Sequence, residues 1–138
     1  MVDLILAMMM AQTPGVGLVT VGQGSSSGIQ EPRAVIVRSA DEWQTLWKSH
    51  AGVQAPPAVD FSKDMVAAVF LGTRPTGGYS VAIAGARREK DVLIVEYVER
   101  VPAADALVTQ VLTSPFHIVT FARFAGPVQI RRAAPGGV

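Results

Sequence analysis

Ser114 and His117 are the two residues whose types and spacing come closest to a catalytic arrangement. A serine hydroxyl beside a histidine base can perform acyl transfer, provided that a third group orients the base. The chain contains no GxSxG nucleophile elbow, and His50 is the only other histidine that could act as the base. His50 falls at the end of a predicted helix, where a capping or dipole role accounts for it. We therefore predict no catalytic residues and no enzymatic activity.

A second segment of interest is the turn at residues 74–79, which consists of Arg74, Pro75, Thr76, Gly77, Gly78 and Tyr79. Proline fixes φ near −65°, and the paired glycines permit positive φ. The segment lacks the GxxxxGK[ST] pattern, and a strand follows it where a phosphate loop requires a helix. Two interpretations stay open: a demanding hairpin turn with Tyr79 in the core, or a binding loop that presents Arg74, Thr76 and backbone amides to a partner.

The segment that contains the serine and histidine has the same two interpretations. Its residues are Ser114, Pro115, Phe116 and His117. The residue before a proline is held extended, which favours a corner between strands with Phe116 in the core. The alternative is a contact surface that uses Ser114 or His117.

Composition argues against metal, cofactor and nucleic-acid sites. The chain has no cysteine, two distant histidines and no cluster of carboxylates with ligand spacing, so we predict neither a metal nor a cofactor. The DFSKD segment at residues 60–64 lacks the calcium-loop pattern. A formal net charge of +1, with only two adjacent arginine pairs, does not favour nucleic-acid binding.

The elements that must position these segments are mostly strands. With 138 residues and 49% hydrophobic content, the chain suits one domain with a substantial core. The clearest helix begins after Ser39, which forms a predicted capping box with Glu42, and ends near Gly52. Its Trp43, Leu46 and Trp47 share one face. Apolar patterning predicts strands at residues 18–21, 33–38, 65–71, 79–83, 92–98, 117–121 and 128–130.

The remaining segments complete an α+β prediction. Residues 22–28 are predicted to be a flexible Gly/Ser loop, and residues 85–91 a charged hairpin loop. Residues 106–112 are ambiguous between helix and strand, and their β-branched residues favour strand. Glu96 and Glu99 are predicted to mark the exit of their strand to solvent. The predicted fold is a mostly antiparallel bent sheet or incomplete barrel of about seven strands, with one packed helix.

The chain ends define the predicted domain boundaries. Residues 4–11 form an apolar run of the length of a signal-peptide core, too short to span a bilayer, but Asp3 stands where positive charge is expected. A truncated signal peptide and a lightly packed apolar arm both stay open for residues 1–16. Residues 17–131 are predicted to form the single domain, without a membrane span, and residues 132–138 a flexible tail.

Several of these segments together resemble the PrcB C-terminal domain family, from a subunit of a bacterial surface protease complex. The resemblance runs over residues 26–128. Its residues are Phe70, Leu71, Gly72, the 74–79 turn, Val95, Glu96, Pro102 and Ser114 to His117, with Glu42, Trp43, Leu46 and Trp47 upstream.

The resemblance implies an extracytoplasmic, non-enzymatic domain that binds or stabilises a protein partner such as a subtilisin-like protease. It brings no catalytic residues with it. A fainter likeness links RPTGGY to the NPTTGY loop of chagasin-type cysteine-protease inhibitors, which implies a reversible protease inhibitor as the alternative. In either case the 74–79 turn and the corner at residues 114–117 are the predicted partner-binding residues.

Overall fold

The computed structural model describes residues 15–52 and 55–133, which contain seven strands and one helix. The strands are β1 (Val19–Gly24), β2 (Arg33–Val37), β3 (Asp64–Phe70), β4 (Ser80–Glu89), β5 (Val92–Arg100), β6 (Phe116–Ala122) and β7 (Val128–Arg132), and the helix is α1 (Ala40–Ala51). The predicted α+β class, with about seven mostly antiparallel strands and one packed helix, is confirmed. The proposed N-terminal segment up to residue 14 and the tail beyond residue 133 lie outside the described residues.

The strands divide between two sheets that form layers with the helix. A four-stranded sheet has the order β1-β6-β3-β2, and a three-stranded sheet has the order β4-β5-β7. All pairs are antiparallel except β5 with β7, which run parallel. One core cluster fills the space between the sheets, and a second lies between the four-stranded sheet and α1. The four-stranded sheet is therefore the middle layer.

Strand β3 lies inside the middle layer, and this position explains why its sequence is continuously apolar. It pairs with β2 on one side and with β6 on the other. Its alternate residues Met65, Ala67 and Val69 enter the core between the sheets, and the others enter the core beneath the helix: Val66, Ala68 and Phe70. A strand that is covered on both faces has no polar face to show, as the sequence predicted.

Helix α1 has the predicted caps. The Ser39 hydroxyl accepts from the Glu42 N–H at 3.3 Å, and the Glu42 carboxylate accepts from the Arg38 N–H at 3.1 Å. Gly52 ends the helix at φ +82° and donates to the Lys48 carbonyl. Trp43 is buried, and its indole donates to the Pro57 carbonyl at 2.9 Å. The helix thus fixes one face of the middle sheet.

Three predictions about connecting segments are wrong. The predicted hairpin loop at residues 85–91 is strand: β4 continues through a bulge after Ile83 to Glu89, and only Lys90 adopts positive φ at the turn. Residues 106–112 form no strand, and their large apolar side chains Leu107, Val111 and Leu112 are exposed to solvent. Residues 22–24 belong to β1, where they pair with residues 116–118 of β6, and a Cβ on Gly24 would lie 3.3 Å from the Phe116 ring.

The remaining connections differ from expectation in detail. Strand β7 extends through Arg132, past the start of the predicted tail. In the described ranges there is no helix of the length and hydrophobicity needed to cross a bilayer.

Candidate functional site: a turn and the loop that it holds

The 74–79 turn begins where β3 leaves the middle sheet. Gly72 at φ +80° brings the chain against Pro32, where a Cβ would lie 2.8 Å from the Pro32 nitrogen. Arg74 then forms an isolated antiparallel bridge with Thr113, with N–H to carbonyl distances of 2.7 and 2.9 Å. The hydroxyl of Thr113 also donates to the Thr76 carbonyl at 2.9 Å. The turn is therefore joined by its backbone to the segment that precedes β6.

The two glycines of the turn are explained by that segment, which we call the 101–113 loop. Gly77 donates its N–H to the Thr109 carbonyl at 2.9 Å, and a Cβ on Gly77 would lie 2.3 Å from the Thr109 hydroxyl. Gly78 has φ +90°, and a Cβ there would lie 2.8 Å from both Pro102 and Val108. Glycine is required at both positions because the loop passes directly over the turn.

The 101–113 loop keeps four large apolar side chains in solvent, although it is anchored to the turn. Leu107 is fully exposed, and Leu112 is 74% exposed. Val101 and Val111 are each more than half exposed. Single exposed apolar residues are ordinary, but several on one short, anchored segment are typical of a contact surface. We call the 74–79 turn and the 101–113 loop together the two-loop surface.

A partly exposed ion-pair network supports the base of this surface. Arg74 lies 3.1 Å from Glu99, and Arg132 approaches the other oxygen of the same carboxylate at 3.4 Å. The Glu99 side chain is only 10% exposed, so its predicted exit to solvent is wrong. The Arg74 guanidinium also lies over the Tyr79 ring, 5.8 Å from its centroid. These contacts hold Arg74 inward, where it positions the turn.

A cleft of about 350 Å³ opens beside this network and is lined by Arg33, Arg74, Tyr97, Glu99 and Arg132, among others. The arginines that line it are paired with Glu31 or Glu99. We interpret this cleft as the solvent side of the ion-pair network.

The corner at residues 114–117 is placed very differently from the turn. Pro115, Phe116 and His117 are buried, and only Ser114 is partly exposed. The Ser114 N–H donates to the Ser25 carbonyl at 2.8 Å. The predicted interpretation as a corner with Phe116 in the core describes this geometry. As folded, the three buried residues support the surface and do not form part of it.

Both ring nitrogens of His117 are engaged inside the protein. Nδ1 accepts from the Ile83 N–H at 2.8 Å, which makes Nε2 the protonated nitrogen of the neutral ring, and Nε2 donates to the Thr20 hydroxyl at 2.9 Å. The ring thereby joins β6 and β1 of one sheet to β4 of the other. Burial lowers the pKa of His117, so the neutral ring is favoured. With neither nitrogen free, His117 cannot serve Ser114 as a base.

Ser27 and His50 form a contact that the sequence prediction missed. The Ser27 hydroxyl lies 2.8 Å from His50 Nδ1 and accepts from the Ile29 N–H at 3.1 Å. His50 is 9% exposed and contacts Phe116, with ring centroids 4.3 Å apart, and burial lowers its pKa. The structure gives His50 these contacts with Ser27 and Phe116, beyond the predicted capping or dipole role. The sequence did contain a signal for this contact. A serine can hydrogen-bond to nearby groups, and a glycine beside it allows the chain to approach another segment closely.

The Ser27–His50 pair holds the chain before β2 against the C-terminal end of α1. Gly28 donates to the His50 carbonyl, and a Cβ on Gly28 would lie 2.4 Å from the Ser49 carbonyl oxygen. No acidic residue hydrogen-bonds to either histidine among the contacts of the described residues. In the same described ranges, no group of three or more His, Cys, Asp or Glu side chains could hold a metal ion. Ser27 and Gly28 of the predicted Gly/Ser loop therefore bond directly to the end of α1.

The sequence similarity can now be placed on this geometry. Residues 65–122 match the model of the family described as PrcB C-terminal. This segment, less than half of the chain, is similar to the PrcB C-terminal family. It starts in β3, includes the 74–79 turn and the 101–113 loop, and ends with β6, inside the region of resemblance seen in the sequence. Neither the curated proteins nor the solved structures contain a match to the chain.

Proposed function

We propose that this PrcB-type chain is a non-enzymatic, extracytoplasmic interaction domain that binds a partner protein through the two-loop surface. The partner class is a secreted or surface protease of the subtilisin-like type, as the family resemblance implies. The observation that carries the proposal is an apolar loop held outward by specific bonds. Glycine, threonine and arginine of the turn fix the loop, while its leucines remain in solvent.

The anchoring gives the surface a physical advantage in binding. Ordering a flexible loop on association costs free energy, and a loop that is already held by backbone bonds avoids part of that cost. Burying Leu107 in a partner pocket would contribute about 1.5–3 kcal/mol. Leu112 would add a second apolar contact from the same segment. These side chains can provide the central contacts of an interface, with the turn as its polar rim.

The same geometry disfavours the chagasin-type alternative. An inhibitor loop that enters a protease cleft must project from the domain. Here the tip of the turn at Gly77 and Gly78 is covered by Pro102, Val108 and Thr109. The turn therefore supports another loop, and the partner contacts are assigned mainly to the 101–113 loop.

The test is affinity capture of protease from the cell envelope and secreted fraction, with the full chain as bait. Leu107→Lys is the test variant, and Val19→Lys is the matched control because Val19 is a 65% exposed apolar residue on β1. The parent and the control should retain a subtilisin-like protease, and Leu107→Lys should weaken its binding about tenfold or more. Circular dichroism checks that all three baits are folded.

The other outcomes of this capture experiment would reject the proposal or separate the two candidate mechanisms. Equal retention by all three baits would reject the two-loop surface, and failure of the folded parent to retain any protease would reject the interaction function. Peptide hydrolysis by the retained protease separates the two mechanisms. A protease that stays active in the complex supports a subunit role, and one that is blocked supports an inhibitor.

A further inference from the structure

The free edges of the two sheets differ in how they are protected against pairing with another chain. An unprotected edge strand presents unpaired N–H and C=O groups, and proteins usually block it with bulges or charges. β1 carries a bulge between Thr20 and Gly22, and β4 carries one after Ile83. β7 ends in two arginines.

Strand β2, at the remaining edge, carries no bulge, and its one charged residue, Arg33, stands at its start. Its five residues pair with β3 in unbroken register, and the middle of the strand, Ala34 to Ile36, carries no charge. Ala34 is exposed, and Val35 and Ile36 are half-buried. Such a regular, apolar edge is a template for strand addition.

A groove runs beside this edge and is suited to an added strand. It has a volume of about 400 Å³, and its strand side is formed by Arg33, Val35, Ile36 and Val37. Its helix side is formed by Asp41, Glu42, Thr45, Leu46 and Ser49 of α1. Spacings of three and four residues place these helix positions on one flank. An added strand would bond to the β2 backbone and direct alternate side chains into the groove.

The charges of the groove are distributed so that the strand complements itself. Arg33, which is paired with Glu31, lies at the start of β2, and Asp41 and Glu42 lie just beyond its end, in the first turn of α1. If two copies pair antiparallel about Val35, Arg33 of one copy lies opposite Val37 of the other. It then lies beside the acidic first turn of the second copy's helix, and the symmetry repeats this contact.

We propose that the β2 edge is a self-association surface, at which two copies of the chain pair antiparallel about a twofold axis through Val35. The two middle sheets become one eight-stranded sheet, with the helices of both copies on the same face. The contact is isologous, so it closes on itself as a dimer. It uses neither the turn nor the loop of the two-loop surface, and it does not depend on the proposed function.

A charge-swap series tests the pairing in the full chain by sedimentation velocity over a range of concentrations. The parent should dimerise with increasing concentration. Arg33→Glu and Asp41→Arg should each raise the dissociation constant about tenfold, because two symmetric contacts become repulsive. The double variant Arg33→Glu with Asp41→Arg should recover the parent value. Arg100→Glu, at an exposed arginine at the end of β5, is the charge-matched control and should leave it unchanged.

An introduced cysteine tests the register, since the chain has no native cysteine. Val35→Cys lies on the proposed axis, so a short bis-maleimide should link two copies; directly opposite Cβ atoms in a strand pair are about 4.5–5.5 Å apart. Val19→Cys on the opposite edge of the same sheet should stay unlinked under the same conditions. A chain that is monomeric at every concentration would overturn the proposal. So would a dimer that is insensitive to the charge swap and does not cross-link at position 35.

Discussion

The 74–79 turn and the 114–117 corner carry similar sequence signals but have opposite places in the fold. Each combines proline, a hydroxyl residue and an aromatic residue near the end of a strand. The corner is buried, and its His117 is fully hydrogen-bonded within the protein. The turn lies at the surface and holds a loop whose Leu107 is fully exposed. A polar residue beside a proline therefore does not by itself mark a binding site.

The difference between the two segments comes from what each is paired with. Residues 116 and 117 lie within β6, which has β1 on one side, β3 on the other and a sheet or a helix on each face. The turn lies beyond the end of β3 and is covered by the 101–113 loop. Changes in the corner should consequently affect the stability of the whole domain, and changes in the turn should affect mainly the loop.

The largest effect is expected for His117→Ala. This change removes two hydrogen bonds, leaves the Ile83 N–H without its acceptor and opens a cavity between the sheets. We expect a loss of about 2–4 kcal/mol in the free energy of unfolding, measured by urea denaturation. His117→Gln, which keeps an acceptor and a donor, should recover part of the loss. Equal stability of the parent and His117→Ala would contradict a structural role for the ring.

A smaller and more local effect is expected for Gly78→Ala. The added Cβ meets Pro102 and Val108 at 2.8 Å, and the φ of +90° is strained for alanine. We expect a loss of about 1–2 kcal/mol in the free energy of unfolding. Relative to the parent, amide hydrogen exchange should become faster in the 101–113 loop and stay unchanged in β6. Gly85→Ala is the matched glycine control, because a Cβ there meets nothing within 4 Å. Uniformly faster exchange across the domain would contradict a local role for the turn.

The smallest effect is the pH dependence contributed by the buried histidines. Burial lowers the pKa of His117 and of His50 below the ordinary value of 6.5. Well above pH 6.5 both rings are neutral in the folded and the unfolded chain, so they add no pH dependence there. Below 6.5 the unfolded chain takes up protons first, and stability falls as the pH decreases toward the lower, folded-state pKa values.

Thermal unfolding between pH 8 and pH 5.5 measures this dependence. The melting temperature should stay level above pH 7 and fall below 6.5, and His117→Gln should reduce the slope. Arg74→Lys keeps the positive charge of the turn and leaves both histidines in place, so it should leave the slope unchanged. A melting temperature that rises as the pH falls would contradict the burial of neutral rings.

Local sequence was sufficient for the elements that are decided by near neighbours. The capping box at Ser39 and the stop at Gly52 follow from contacts within a few residues, and both were predicted. The unbroken apolar run of β3 required cover on both faces, whichever strands supplied it. Residues 106–112 were misassigned because β-branched residues favour strand only where a sheet is available to pair with them.

The sequence by itself determined the α+β class, the capped helix, the buried central strand and the resemblance to the PrcB C-terminal family. Only the tertiary structure decided which glycines are required by a close approach. It also decided that Ser27 meets His50, that Glu99 pairs with two arginines and that His117 joins the two sheets. The reason is physical: these contacts join residues far apart in the chain, and their free energies depend on burial, which local sequence patterns do not specify.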